Sequence, residues 1–360
     1  MWDNALMTGL LGSFRRKRQA GKALGKAVDK AGGQAAYHAQ PNCMPALSGA
    51  REGDMTRLLT CLLLLSALLA GSAALAAPVP VFVSIVPQKF FVERIAGKLA
   101  QVSVMVLPGA SPHTYEPKPR QLAALQSAKA YFAVGDPFEA AWLPRFQAAN
   151  PAMLVVRTDA GVDKMAMAAH RHEDEQGQEH ADEAEHAEEP GRGDVDGHGG
   201  LDPHIWLSPA LVKIQAGNIL AGLKAVDPDN AAAYEANHQA FLAELDALDA
   251  RIRAILAGMQ GKEFLVFHPS WGYYARDYGL VQTPIELEGK EPKPEALAKL
   301  VGHATERGIR AVFVQPQLSR AMANVVAEEI GAQVVMADPL AGNWNGNLIQ
   351  VAEKLRAALR

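Results

Sequence analysis

The chain has 360 residues, of which 49% are apolar, and its formal net charge at pH 7 is −4. This length exceeds the usual size of one hydrophobic core and predicts two compact lobes. The charge pattern excludes a nucleic-acid binder: residues 1–76 have nine Lys/Arg against four Asp/Glu, and the remainder has no basic stripe that could neutralise phosphates.

The first element in chain order is a targeting signal that begins unusually late. Residues 55–57 form a short positive segment, residues 58–69 an apolar one, and residues 74–76 fit a small-x-small cleavage site. We therefore predict a signal peptide at residues 55–76 and an exported, periplasmic protein. An uncleaved membrane anchor is the alternative, because the apolar run is long enough to span a bilayer.

Residues 1–54 precede this signal and show no clear periodicity. A signal peptide acts at a true N-terminus, so we expect translation to start at Met55 and residues 1–54 to be untranslated or disordered. Both cysteines, Cys43 and Cys61, lie in the part that export would remove. We expect no disulfide in the mature chain, although export would permit one.

Short apolar runs alternate with helical stretches through the rest of the chain. Their near-continuous hydrophobicity predicts parallel strands that helices cover on both faces, an α/β fold. We place an N-terminal lobe at residues 77–226 and a C-terminal lobe at residues 260–360. The predicted strands are residues 79–86, 102–107, 130–134 and 153–156 in the first lobe, and 264–267, 280–285, 311–314 and 333–336 in the second; helices are predicted at residues 89–99 and 294–307.

The clearest helical pattern lies between the lobes. Asp227 is a plausible N-cap followed by Pro228, and apolar residues from Tyr234 to Ile255 recur at steps of three, four or seven. We predict a connecting helix over residues 227–259, of which some thirty helical residues at 1.5 Å each would span about 45 Å. An ordinary long core helix would give the same pattern.

Residues 170–200 form a segment of different composition. They include eleven Asp/Glu and five of the eleven histidines, with almost no large apolar residues. Such a segment buries too little surface to offset its ordering entropy, which predicts a mobile loop. We expect its histidines to contact metal in an auxiliary role, with plain solubility as the alternative. They are His170, His172, His180, His186 and His198.

Four candidate metal ligands lie at or near a predicted strand end or a turn: His113, His204, His268 and Asp338. Ligands of open parallel sheets bind beyond the carboxyl ends of the strands, so these four side chains can converge between the lobes. Three imidazoles and one carboxylate complete a tetrahedral shell for Zn²⁺. Taken singly, each residue could equally be a turn or surface residue.

Five residues near these candidates have two interpretations each. Glu116 and Asp202 could accept the second ring N–H of a ligand histidine, or could be turn or capping residues. Trp206, Trp271 and Tyr273 are expected to pack around the site, although ordinary core packing would use the same residues.

The stretches around His113 and at residues 202–209, 268–280 and 338–340 closely resemble the zinc-specific solute-binding proteins of bacterial ABC importers, the ZnuA family. The likeness covers residues 79–360, including the ligand order, the histidine-rich loop and the long helix. It implies two lobes, each with a four-stranded parallel sheet, joined by one long α-helix.

The resemblance also implies a metal site and a partner. Zn²⁺ would lie in the crevice between the lobes, held by His113 and His204 from the first lobe and by His268 and Asp338 from the second. The partner would be an ABC transporter permease with its ATPase. We expect a monomer that binds no nucleic acid.

Zinc is expected over manganese because manganese-carrying relatives usually have Glu where His268 stands. A manganese-binding importer protein of the same fold remains an alternative, as does an adhesin or metallochaperone. A metal-dependent hydrolase is the rival class. Catalytic zinc keeps one position open for water, whereas four protein ligands close the shell, and the sequence has no His-Glu-x-x-His element. We therefore expect binding and delivery of Zn²⁺, without catalysis.

Overall fold

The computed structural model describes residues 77–167, 200–286, 292–318 and 320–360. The predicted upstream segment and signal peptide, and the five histidines of the loop, lie outside these ranges, so those predictions stay as they were. Within the described ranges, no helix combines the length and the apolar character needed to cross a bilayer.

The first lobe is a parallel sheet with helices on its faces. Its strand order is β2-β1-β3-β4, and every neighbouring pair runs parallel. The central strand β3 is buried along its whole length, which explains its unbroken apolar sequence. The elements are β1 (Val79–Val83), α1 (Val86–Ala96), β2 (Ala100–Val104), α2 (Pro119–Leu125), β3 (Ala130–Ala133), α3 (Pro137–Ala149) and β4 (Leu154–Arg157).

The second lobe repeats this arrangement. Its parallel strands have the order β6-β5-β7-β8, the same relative order as in the first sheet. The two central strands, β5 and β7, are fully buried. The elements are β5 (Glu263–Val266), α6 (Gly272–Tyr278), β6 (Val281–Pro284), α7 (Pro294–Glu306), β7 (Ala311–Val314), α8 (Ala321–Ile330), β8 (Gln333–Met336) and α9 (Trp344–Ala358).

Two long helices, α4 (Pro209–Val226) and α5 (Ala231–Ile255), connect the sheets. The range 227–259 predicted for the connecting helix was too long at both ends. Residues 228–230 form a separate 3₁₀ turn, because Asp227 does not cap the helix and instead accepts hydrogen bonds from Asn230 and Tyr234. The 25 residues of α5 span about 37 Å at 1.5 Å each.

The eight predicted strands are all present, and the α/β fold with two four-stranded parallel sheets is confirmed. β7 and β8 have the predicted bounds, whereas β1 stops at Val83 because α1 begins at Val86 with a proline in its first turn. β2 begins two residues earlier than predicted. β5 and β8 end two residues before the candidate ligands His268 and Asp338.

The hydrophobic core crosses from one lobe to the other. A single cluster of buried side chains includes the first sheet, α4, α5 and, from the second lobe, Trp271, Tyr273, Tyr274 and Trp344. A smaller cluster fills the other side of the second sheet. The lobes thus share a packed interface, and the ligand-bearing turns lie beside it.

Candidate metal centre

The candidate ligands occupy turns that follow strands or precede helices. His268 follows β5 by two residues, and Asp338 follows β8 by two residues. His113 lies in the 3₁₀ turn Pro112–Thr114, after β2, but its side chain is outside the described part of the structure. His204 directly precedes the 3₁₀ turn Ile205–Leu207, which leads into α4.

The structure brings two of the four candidates together. The Nε2 atoms of His204 and His268 are 3.3 Å apart, and the two ring planes are inclined by 71°. His204 is 3% exposed, and the side chain of His268 is 11% exposed. Two nitrogens bound tetrahedrally to one zinc ion at about 2.05 Å are about 3.3 Å apart. The spacing of the pair therefore fits Zn²⁺.

Each imidazole of the pair has a buried carboxylate at its other nitrogen. Asp202 Oδ1 lies 2.7 Å from His204 Nδ1 and also accepts the backbone N–H of His204 at 2.9 Å. Glu286 Oε1 accepts a hydrogen bond from His268 Nδ1. Carboxylates in this position fix the tautomer and raise the basicity of the metal-binding nitrogen. Asp202 thus makes both of the contacts considered from the sequence, to the ring and within the turn.

Glu286 was missed by the sequence analysis. It follows β6 by two residues, and its backbone N–H donates to Phe267 O at 3.1 Å, which continues the pairing of β6 with β5. This register places Glu286 opposite His268. The available signal was an acidic residue just after the predicted strand 280–285, but its meaning depends on β6 being the neighbour of β5.

Asp338 does not join the histidine pair among the described contacts. Its Oδ1 accepts hydrogen bonds from Gln317 Nε2 at 2.9 Å and from the backbone N–H of Leu340 at 3.0 Å. Among the described side chains, no three His, Cys, Asp or Glu residues come together as a metal-binding group. His113 and Asp338 therefore remain proposals as ligands.

A small crevice opens at the histidine pair. The residues that follow Asp338 and those that precede His113 both line it, so the turns of both remaining candidates border the same space. The lining residues are Ser111, Pro112, His204, Trp206, His268, Ser270, Gln315, Gln317, Pro339 and Leu340.

The other predicted neighbours of the site differ in their positions. The ring centroid of Trp206 lies 5.2 Å from that of His204. Tyr273 and Trp271 are buried in the shared core. Glu116 is exposed, and because the side chain of the nearby His113 is outside the described part of the structure, the role of Glu116 in orienting a ligand stays a prediction.

A further buried carboxylate, Asp136, lies close enough to the pair to interact electrostatically. Burial raises the pKa of Asp136, while the Phe138 N–H and the imidazoles of His204 and His268 oppose the rise. Asp136 Oδ1 caps α3 through Phe138, whereas Oδ2 has no hydrogen-bond partner among the described residues. When it is ionised, Asp136 adds negative charge beside the imidazole pair, and this favours a cation.

Comparisons with known proteins identify the family of this chain. A family model described as ZnuA, zinc-uptake complex component A periplasmic, matches residues 81–358. The chain belongs to the ZnuA family. The high-affinity zinc uptake system protein ZnuA of Bacillus subtilis is 31% identical over 260 residues, which are 71% of this chain and 76% of that protein.

Solved ZnuA structures share the fold over most of their length. A crystal structure of ZnuA is 42% identical, with a TM-score of 0.68, and the match covers 79% of this chain and 100% of that one. A ZnuA deletion mutant with zinc bound is 44% identical, with a TM-score of 0.67, over 78% and 98% of the two chains. The protein FpvC of Pseudomonas aeruginosa, in complex with Mn²⁺, is 20% identical with a TM-score of 0.64 and shows the fold alone.

Proposed function

We propose that this chain captures Zn²⁺ in the periplasm and delivers it to the permease of an ABC importer, which works with its ATPase. One observation carries the proposal: the Nε2 atoms of His204 and His268 face each other at 3.3 Å while the Nδ1 atoms face carboxylates. The membership of the ZnuA family and the relatives named for zinc uptake support it.

The tautomers of the His204 and His268 imidazoles explain why a cation between them is favourable. A carboxylate at Nδ1 keeps the ring proton on Nδ1, so each neutral imidazole presents the lone pair of Nε2. Two lone pairs that face each other at 3.3 Å repel unless a positive charge lies between them. A zinc ion bound by both nitrogens removes this repulsion, and Asp202 and Glu286 stabilise the resulting positive charge.

The rest of the shell is proposed to come from His113 and Asp338. Pro112 lines the crevice from the turn that contains His113, and Pro339 lines it directly after Asp338. Because both turns border the crevice, their side chains are proposed to complete the shell of the ion. Four protein ligands would leave no open position for a reacting water, so the proposed role is binding and release without catalysis.

Zinc binding by single-site variants tests the proposal. The chain from residue 77 onward should bind one Zn²⁺ in calorimetry, and replacing His204 or His268 by Ala should weaken binding by more than the roughly 10–100-fold that follows loss of an outer hydrogen-bond partner. His303→Ala is the control, because His303 lies on α7 and contacts Glu263, away from the pair.

Analysis of the metal content of the protein, purified with its native cargo, is the measurement that can contradict the proposal. One equivalent of zinc is expected. One equivalent of manganese with no zinc would overturn the assignment of the cargo, and no bound metal together with no calorimetric signal would overturn the metal-binding role itself. The loop histidines are auxiliary in this proposal.

A further inference from the structure

Three hydrogen bonds join the segment that contains His204 to the second lobe. This segment, residues 202–208, belongs to the first lobe by sequence. Tyr273 OH donates to Asp202 O at 2.8 Å, Trp206 Nε1 donates to Pro339 O at 2.8 Å, and Ser208 Oγ donates to Asp277. The residues on both sides of His204 are therefore tied to the lobe that contains His268.

The bond from Tyr273 has the most direct consequence for the imidazole pair. Tyr273 is fully buried on α6, and its hydroxyl both donates to Asp202 O and accepts the backbone N–H of Met165 at 2.9 Å. The same Asp202 orients the His204 ring through its carboxylate. Because α6 follows His268 by only four residues, Tyr273 links the chain segment of one imidazole to the residue that orients the other.

The tryptophan contacts strengthen the same connection. Trp344 Nε1 donates to Trp206 O at 2.8 Å, and the Trp344 ring packs edge-on against Phe91 at 4.9 Å between centroids. Trp206 in turn donates to Pro339 O, next to Asp338. All of these bonds are made by protein groups, so they do not depend on an ion for their formation.

We propose that Tyr273, supported by Trp206 and Trp344, is a positioning residue that sets the spacing of His204 and His268 before the ion arrives. The proposal rests on the zinc site described above. Preset spacing lowers the ordering cost of binding, so the tyrosine hydroxyl contributes to zinc affinity although it does not touch the ion.

The chain offers a matched control one residue away. Tyr274 is also fully buried on α6, and its hydroxyl also donates to a backbone carbonyl, Leu348 O, at 3.1 Å. That carbonyl lies on α9 within the second lobe, so this hydrogen bond does not involve the 202–208 segment. Tyr273→Phe and Tyr274→Phe therefore each remove one buried hydroxyl, but only the first removes a hydrogen bond to Asp202.

Zinc affinity, measured by competition with a chelator, and urea unfolding should be compared for the two variants. We expect both to lose stability, with zinc binding about 10-fold weaker in Tyr273→Phe and within about twofold of the unmodified protein in Tyr274→Phe. Equal zinc affinity in the two variants would overturn the positioning role. Absence of zinc binding by the unmodified protein would instead overturn the proposed function.

The proton on His204 Nδ1 provides a second readout that does not need zinc. In the metal-free protein we expect its NMR signal to be visible in the unmodified chain and in Tyr274→Phe, and to be broadened by solvent exchange in Tyr273→Phe. An unchanged signal in Tyr273→Phe would contradict the proposal. If Tyr273→Phe does not fold, Trp344→Phe removes the bond to Trp206 O and should lower zinc affinity in the same direction, while unchanged affinity would count against the proposal.

Discussion

Glu286 and Asp202 are buried partners of the two imidazoles, and each acts on the nitrogen that does not face the other ring. In the proposed site, their negative charges would compensate the charge of the bound cation and hold both rings in the tautomer that presents Nε2. Glu286 is the better of the two residues for testing this role, because it is distant from His268 in sequence. The Asp202 carboxylate, by contrast, also accepts a hydrogen bond within its own turn.

Glu286→Gln is therefore expected to lower zinc affinity by about 10-fold, since the amide keeps the size of the side chain but loses the charge. The effect should appear in chelator competition at constant pH. Glu295→Gln, at an exposed residue of α7 paired only with Lys299 in the described structure, should leave zinc affinity unchanged. Equal affinity of the Glu286 variant and the unmodified protein would show that this carboxylate does not assist binding.

The sequence was sufficient to predict contacts in the site between residues that are close along the chain. Asp202 stands two residues before His204, so their contact followed from local spacing. The position of Glu286 depends on β6 being the neighbour of β5, and the bond from Tyr273 to Asp202 O depends on how the two lobes pack. No short motif encodes either arrangement. The metal-binding role could be predicted, but the network around the imidazoles could not.

At the scale of elements, α4 packs so closely on the first sheet that one position requires glycine. A Cβ at Gly222 would lie 2.7 Å from Val156 Cγ2 and 2.8 Å from Phe132 Cε1, on β4 and β3. A Cβ at Gly217, on the same helix, would meet no described atom within 4 Å. The two glycines therefore differ in packing while sharing a helical backbone.

Gly222→Ala should destabilise the protein by roughly 1–3 kcal/mol, because overpacking outweighs the better helix propensity of alanine. Gly217→Ala should stabilise it by up to about 1 kcal/mol through that propensity. Urea unfolding monitored by circular dichroism measures both. A stabilising Gly222→Ala would show that Val156 and Phe132 move aside without cost.

The elements themselves were largely predictable from periodicity. All eight strands were identified because each is a short apolar run bounded by turns, and β7 and β8 even had the predicted bounds. The predicted start of α5 was wrong because Asp227 and Pro228 also suit a 3₁₀ turn, in which Asp227 accepts hydrogen bonds from Asn230 and Tyr234. A local cap motif cannot contain that information.

For the whole molecule, a buried acid next to the end of the first sheet makes stability depend on pH. Glu139 is 2% exposed and accepts hydrogen bonds from Ser84 Oγ and from the backbone N–H groups of Val134 and Gly135. Burial raises the pKa of Glu139 to about 7, against the opposing effect of these hydrogen bonds. The folded protein therefore holds this proton at a pH where the unfolded chain has released it.

The direction of the pH dependence follows from the difference between the pKa of Glu139 in the folded protein and in the unfolded chain. A raised pKa in the folded state gives stability that is fully present below the unfolded value of about 4.5 and is lost as pH rises through 7, by about 3 kcal/mol in all. Glu139→Gln cannot release a proton, so the free energy of unfolding of the unmodified protein, minus that of the variant, should be larger at pH 5 than at pH 8. A difference that is constant over this range would contradict the raised pKa.

The turns that surround the imidazole pair are separate, along the sequence, from the strands and helices that form the shared core. His204, His268, Glu286 and Asp338 all lie outside the regular elements, whereas the buried strands supply no group to the crevice. If these turns hold the ion as proposed, substitutions there would change its ligands while leaving the strands and helices of the framework unaltered. A resemblance of fold alone therefore does not identify the ion, and FpvC in complex with Mn²⁺ shares this fold at 20% identity.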